Sequence, residues 1–274
     1  MDSKGKYDKR NKLNDLTGKE WLKLTGSFWA SEKCVDDKPA MQHPAPFLIK
    51  DIQKLISMFT KKGMRVLDPF CGSGTTLIAS CNLDRLGIGI DLNAEYKKLA
   101  LERLKQYKSF EYIVGNALNE LDPIKKVDYI ITSPPYHNIL KNKGKGLRED
   151  KKNKGFRHSG RTGVEYYSDN QDDLGNKENY QDFLQSLNLI MNKCYKALNN
   201  TKYCSIVISD FTVNKKETNV QGDIVNMMCN IGFEFSGTTV LLQPNKPLYP
   251  FGYPYAYKIN HHHQNIITFR KIEL

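Results

Sequence analysis

A chain of 274 residues, 39% of them hydrophobic, can bury one substantial core with at most a small appendage, so a single main domain spanning 1–274 is expected. Forty-one Lys and Arg against 30 Asp and Glu leave a net charge of +11. That balance favours a polyanionic partner such as nucleic acid, the plainer alternative being a Lys-rich surface of no special use. The first 23 residues are charged and lack the apolar centre of a signal peptide, and no apolar run approaches membrane-spanning length. Six cysteines, at positions 34, 71, 81, 194, 204 and 229, form no C-x-x-C pair and read as reduced thiols of a soluble, cytoplasmic protein.

In chain order, residues 1–20 are polar, Lys-rich and expected to fray, within an N-terminal arm of residues 1–40. Aromatics return between Trp21 and Trp29, and His43-Pro44-Ala45-Pro46-Phe47 leads into a helix on which Phe47, Leu48, Ile52, Leu55, Ile56 and Phe59 share a face. Gly63 ends it. Strands and helices then alternate: strands at 64–68, 86–91, 110–114 and 127–132, helices at 74–83 and 93–107. That alternation predicts a parallel α/β sheet.

Periodicity is lost over 137–179. Between Lys141 and Arg161 there are nine Lys or Arg against two acidic residues, interleaved with glycine. A segment this long inside a compact domain is functional or a solvated insertion. Order resumes with a helix carrying Phe183, Leu187, Ile190, Met191, Cys194 and Leu198, a strand at 203–209, a helix at 223–231, and two closing strands at 233–242 and 265–269.

Two strand ends carry the chemistry. Asp68-Pro69-Phe70-Cys71-Gly72-Ser73-Gly74-Thr75-Thr76 joins the first strand of the alternating series to its helix. The glycines allow close backbone approach, and the helix start offers free N–H donors to an anion. It is not a P-loop, because Thr75 stands where Lys is needed, nor a dinucleotide fingerprint, because Leu77 replaces the third glycine. An adenosine-bearing cofactor with a carboxylate tail fits better. Asp91, followed by Leu92, ends the next strand, where a carboxylate can accept both ribose hydroxyls. Gly115-Asn116-Ala117 follows the third; there an amide oxygen can accept from an adenine amino group, or the segment is a plain turn. The second strand end is Thr132-Ser133-Pro134-Pro135-Tyr136. Two prolines forbid continuation of the strand and present backbone carbonyls and a ring at a fixed place, a geometry suited to a flat, amino-bearing base.

Together these two motifs resemble the DNA methyltransferases that modify the exocyclic nitrogen of cytosine or adenine with S-adenosylmethionine. The likeness extends to His43, Pro44 and Phe47, which match the segment beside the methionine moiety, and to residues 253–270, which match the closing hairpin. It implies a Rossmann-like methyltransferase fold, a mostly parallel seven-stranded sheet with helices on both faces and a C-terminal antiparallel hairpin. Carried over by position, Asp68, Pro69, Phe70, Cys71, Gly72, Ser73, Gly74, Thr75 and Thr76 would surround the methionine part of S-adenosyl-L-methionine. Asp91 and Leu92 would hold its ribose, and Asn116 and Ala117 its adenine. That family usually has Asp where Asn116 stands.

The resemblance also implies a mechanism. A base amino group is a poor nucleophile because its lone pair is delocalised. Two acceptors, the Ser133 side chain and the Pro134 carbonyl, would hold its hydrogens and aim the lone pair at the methyl donor, while Tyr136 stacks on the flipped base. No Cys nucleophile is needed, and Cys71 reads as a small buried hydrophobe. Ser at the first motif position goes more often with cytosine, so cytosine is favoured over adenine. An RNA base methyltransferase and an inactive nucleic-acid-binding protein are the alternatives.

Tyr249, Phe251, Tyr253, Tyr255 and Tyr257 alternate with Pro, Gly and Ala, and Tyr253 and Tyr255 could wall a base pocket or form one packed strand face. His261, His262 and His263 read as a hairpin turn rather than a metal site. No large target-recognition domain follows the last strand, so sequence recognition is expected from the insertion 137–179, the N-terminal arm, a partner or a second copy. Lys141, Lys143, Lys145, Arg148, Lys151, Lys152 and Lys154 would neutralise phosphates of double-stranded DNA. A cognate restriction endonuclease would be a natural partner.

Overall fold

The computed structural model describes residues 5–137 and 167–273. Ten strands and seven α-helices run in the order α1 (Gly18–Leu24), β1 (Phe28–Ala30), α2 (Ile49–Phe59), β2 (Arg65–Asp68), α3 (Thr75–Asn82), β3 (Leu86–Asp91), α4 (Ala94–Arg103), β4 (Phe110–Val114), α5 (Ala117–Glu120), β5 (Val127–Thr132), α6 (Tyr180–Ala197), β6 (Leu198–Ile208), β7 (Phe211–Val213), β8 (Lys216–Thr218), α7 (Val220–Ile231), β9 (Phe233–Leu242) and β10 (His263–Lys271), among the described residues. Short 3₁₀ turns fill some of the links.

Eight strands form one sheet in the order β1-β9-β10-β6-β5-β2-β3-β4. Strands β2 to β6 are mutually parallel, and β10 runs antiparallel to both β6 and β9. The seven expected strands are all present. The eighth, β1, adds in parallel to the edge of β9, with Trp29 opposite Leu241.

Alternation along the strands builds two cores. Ile130, Ile206, Ile208, Ile267 and Phe269 point to one face, where Phe183, Leu187 and Met191 of α6 and Ile224 and Met228 of α7 cover them. Their neighbours Tyr129, Ile131, Val207 and Ile266 point to the other, against Ile52, Leu55, Ile56 and Phe59 of α2. Burial on both faces is what a near-continuous apolar strand such as Tyr129-Ile-Ile-Thr132 requires.

The N-terminal arm is not frayed over its described part. Asn14 is buried and its amide donates to Met58 O at 2.7 Å, Arg85 Nη2 donates to Asp15 Oδ2 at 3.0 Å, and Thr17 and Glu20 form a capping box that starts α1. Polar composition misled here because these side chains satisfy the ends of α2 and β3 instead of water. Among the described residues no helix is long and apolar enough to cross a membrane.

Parallel strands bring the segments after β2, β3, β4, β5 and β6 to one edge. Because β10 is antiparallel, the 243–262 loop between β9 and β10 emerges at that same edge.

Candidate active site at the carboxyl edge of the sheet

The turn after β2 is built by backbone bonds to β3. Cys71 N donates to Ile90 O at 2.9 Å and Gly72 N to Asp91 Oδ2 at 2.8 Å. Gly72 and Gly74 both have positive φ, +47° and +77°. A Cβ at Gly72 would meet His43 Nε2 at 2.9 Å, and one at Gly74 would meet the Ala100 Cβ at 2.9 Å, so close approach as well as backbone conformation requires glycine. His43 packs over the loop beside the Tyr96 ring, 4.5 Å between centroids. Its burial lowers the imidazole pKa to about 4, so the ring is neutral at pH 7.

Beside this turn lies a cavity of about 680 Å³. His43, Pro69, Phe70, Asp91, Leu92, Asn116, Ala117 and the whole Ser133-Pro134-Pro135-Tyr136 run line it. The two strand-end motifs therefore meet in one chamber. Asp91 is held by Gly72 N–H and, at 2.9 Å, Asn93 N–H, and burial raises its carboxyl pKa to about 6.

Other motif residues stand behind the wall. Asp68 is 1% exposed and its carboxylate is spent inside the protein. Thr132 Oγ1 donates to Oδ1 at 2.7 Å, Thr76 Oγ1 to Oδ2 at 2.5 Å and Phe70 N to Oδ1 at 3.1 Å. Desolvation, only partly offset by those donors, lifts its pKa to about 6. Asp68 thus ties the end of β2 to the residue preceding Ser133. Ser73 and Thr75 turn toward Arg103, whose Nη1 donates to Ser73 O at 2.6 Å and to both hydroxyls at 3.0 Å. Cys71 is buried, and burial raises its thiol pKa well above the ordinary value, which keeps it protonated. Phe47 lines a second cavity, of about 340 Å³, with Asp51, Gln243 and Gln264.

Tyr136 is 8% exposed, and its hydroxyl accepts from Ser209 N and from Gln264 Nε2, both at 3.1 Å. The ring is thereby a fixed piece of cavity wall, tied to the ends of β6 and β10. Ser133 Oγ makes no hydrogen bond among the described residues.

The cavity residues missed in the sequence include Tyr96 on α4 and Tyr167, Ser168, Asp172 and Asp173 on the return arm of the insertion. A reversal of charge pointed to the latter, since Glu165, Asp169, Asp172 and Asp173 follow the basic stretch 141–161. The arm is anchored: Asn93 Nδ2 donates to Tyr167 O at 2.9 Å, and Leu174 joins the α6 core. Lys141, Lys143, Lys145, Arg148, Lys151, Lys152 and Lys154 lie outside the described residues. Tyr253 and Tyr255 are 77% and 94% exposed in the 243–262 loop, so they form neither a packed strand face nor the wall of this cavity. His261 bonds Glu217 Oε1 of β8 at 2.7 Å and His263 begins β10; among the described residues no three His, Cys, Asp or Glu side chains gather as a metal site.

The fold is the Rossmann-like fold of the S-adenosylmethionine-dependent methyltransferases. A structure of TrmN from Thermus thermophilus superposes with a TM-score of 0.53 over 87% of this chain and 52% of that one, at 14% identity, a likeness of fold alone. The sequence profile of the N6/N4 DNA methylase family matches residues 2–102 and 127–273, and the chain belongs to that family. It is 40% identical over 100 residues to the Type II methyltransferase M2.DpnII of Streptococcus pneumoniae, 36% of this chain and 35% of that one. It is 36% identical over 105 residues to a tRNA (guanine(10)-N2)-dimethyltransferase of Methanocaldococcus jannaschii, 34% and 30% of the respective chains. These matches span about a third of the length of the curated relatives.

Proposed function

We propose that this protein transfers a methyl group from S-adenosylmethionine to the exocyclic amino nitrogen of a cytosine flipped out of double-stranded DNA. The observation that carries the reading is the chamber itself, in which Asp91 and the Ser133–Tyr136 turn face one cavity.

The residues present fit the cofactor. Asp91 is a half-buried carboxylate with lone pairs beyond those used by Gly72 and Asn93, suited to ribose hydroxyls. Phe70, Leu92 and Ala117 offer apolar surface to a base, and His43 with the 71–74 turn flanks the position of the methionine part. Bound there, the cofactor supplies an electrophilic methyl group.

The chain's own part is to prepare the nucleophile. The Ser133 hydroxyl and the Pro134 carbonyl accept the two amino hydrogens, drawing the nitrogen toward a tetrahedral shape with its lone pair exposed. Tyr136 presents its ring to the base and cannot swing away, because its hydroxyl is pinned at two points. No covalent intermediate with the chain is required, in keeping with a Cys71 thiol that stays protonated. Cytosine is favoured over adenine because Ser133 holds the first motif position, where the resembled family has Ser more often with cytosine. A cytoplasmic location and a cognate restriction endonuclease accompany this reading. All six cysteines are free thiols, consistent with the former.

DNA contact is assigned to the basic segment 141–154 and to Tyr253 and Tyr255, whose exposed rings stand at the same edge of the sheet. The test is incubation with labelled S-adenosylmethionine and duplex DNA, followed by mass spectrometry of the nucleosides. N4-methylcytosine is expected. N6-methyladenine would correct the base, label in RNA alone would replace the substrate, and no label would overturn the reading.

A further inference from the structure

The cavity is also lined by an acidic side chain, Asp172, that the strand-end motifs do not supply. Across the carboxyl edge the order is β2, β3, β4. The glycine turn follows β2, Asp91 ends β3 and Asn116 follows β4, so a nucleoside whose ribose meets Asp91 has its base at Asn116.

At that position Asn116 is already engaged at both ends of its amide. Its Oδ1 accepts from Leu118 N at 2.9 Å, capping α5, and its Nδ2 donates to Asp172 Oδ2 at 3.1 Å. The cap fixes the orientation: the oxygen faces the helix and the NH₂ faces the insertion. An adenine amino group, a pure donor here, therefore meets an NH₂ donor on Asn116 but a carboxylate on Asp172. Asp172 lines the cavity, and its Oδ1 has no partner among the described residues. The arm that carries it is not a loose loop. Asn93 holds it at Tyr167 O, His137 Nε2 bonds Lys177 O at 3.1 Å, and Asp173 Oδ1 closes its own turn by accepting Gly175 N at 2.8 Å.

We infer that Asp172, from the return arm of the insertion, is the acceptor for the 6-amino group of the cofactor's adenine, with Asn116 as its orienting partner. This rests on the S-adenosylmethionine reading above and adds a specificity residue to it. It also makes the described return arm, residues 167–179, part of the cofactor site.

The test is binding, not turnover. Calorimetry with S-adenosylhomocysteine and with S-inosylhomocysteine, which carries a 6-oxo group in place of the amine, measures the preference for an amino donor. The wild-type chain is expected to prefer the adenosyl compound by about tenfold or more, the scale of a hydrogen bond to a charged acceptor. Asp172→Ala should collapse that preference to about twofold, mainly by weakening the adenosyl compound, with an unchanged melting temperature of the free protein. The exchange N116D/D172N moves the carboxylate to the strand side, where Asp also caps a helix well, and should restore most of the preference. A preference undiminished in Asp172→Ala overturns the assignment. If the wild type binds neither compound, the cofactor reading itself fails and the assignment falls with it; the two failures are distinguished by the wild-type titration alone.

Discussion

Two regions share the carboxyl edge of the sheet and are built in opposite ways. Around the cavity, the side chains assigned to the proposed site are held from within the protein: Asp91 by two amides, Tyr136 by an amide and Gln264, Asp68 by two threonines and an amide. In the 243–262 loop, Tyr253, Tyr255 and Tyr257 stand 77, 94 and 88% exposed. Groups that act on a small ligand are preorganised by the protein that carries them, whereas rings left in water are suited to a surface large enough to cover them. On this division, changes in the first region should act on chemistry and cofactor affinity, and changes in the second on polymer binding alone.

The sharpest way to break the comparison is Ser133→Ala. It removes one of two acceptors on the reacting nitrogen and should lower single-turnover methyl transfer by about 10²–10³, with cofactor affinity unchanged. An undiminished rate would remove Ser133 from the mechanism. Next comes Thr132→Val, which is isosteric but leaves Asp68 without its 2.7 Å donor. Transfer should fall about thirtyfold through misplacement of Ser133, and Thr132→Ser should restore it. If valine costs nothing, the cavity does not depend on its supporting bonds.

The pH dependence separates the cavity from the rim in a third way. Burial raises Asp91 to about 6 from the ordinary 3.8. A carboxyl shifted upward by folding contributes stability below the ordinary value and loses it as pH rises through 6, so at pH 7 the free chain carries the cost of ionising it. A ligand that donates two hydroxyls offsets that cost only for the ionised form. Affinity for S-adenosylhomocysteine should therefore drop about tenfold from pH 7.5 to 5, and Asp91→Asn should flatten the profile as well as lower it.

Much of this was legible because strand ends are where periodicity stops and chemistry begins. Asp91 follows the buried Ile88-Gly89-Ile90 and Ser133 the buried Ile130-Ile131-Thr132, so their position at a strand end could be read from pattern alone. The direction of a side chain could not. Asp68 and Thr76 lie in the same motif as Phe70 yet bond each other behind the cavity wall, and the pairing of β2 with β5, not spacing, brings Thr132 to the same carboxylate. Short elements were also hidden. β1 has three residues and exists because β9 offers an open edge, and the β7–β8 hairpin turns on Asn214 and Lys215, both with positive φ, where glycine would have signalled the turn. For Asp172 the sequence offers only the reversal of charge after the basic stretch; a long aperiodic segment separates it from every motif, and only the fold returns it to the cavity.

The smallest effect expected is the one that defines the rim. Tyr255 is almost wholly exposed to water, so Tyr255→Ala should leave the melting temperature and cofactor affinity unchanged. A ring that stacks on a base or on the sugar edge of a duplex contributes about 1–3 kcal/mol, and one that touches DNA from an exposed loop belongs at the low end, near a fivefold loss of affinity. Stacking is not ionic, so the slope of log affinity against log salt should stay the same in this variant. Neutralising Lys141, Lys143 and Lys145 should instead reduce that slope by about one for each phosphate left without its cation. A Tyr255→Ala protein that binds DNA normally, or that changes only in its salt slope, would leave the 243–262 loop without a role in DNA binding. The division between a held cavity and a waiting rim would then rest on the basic segment alone.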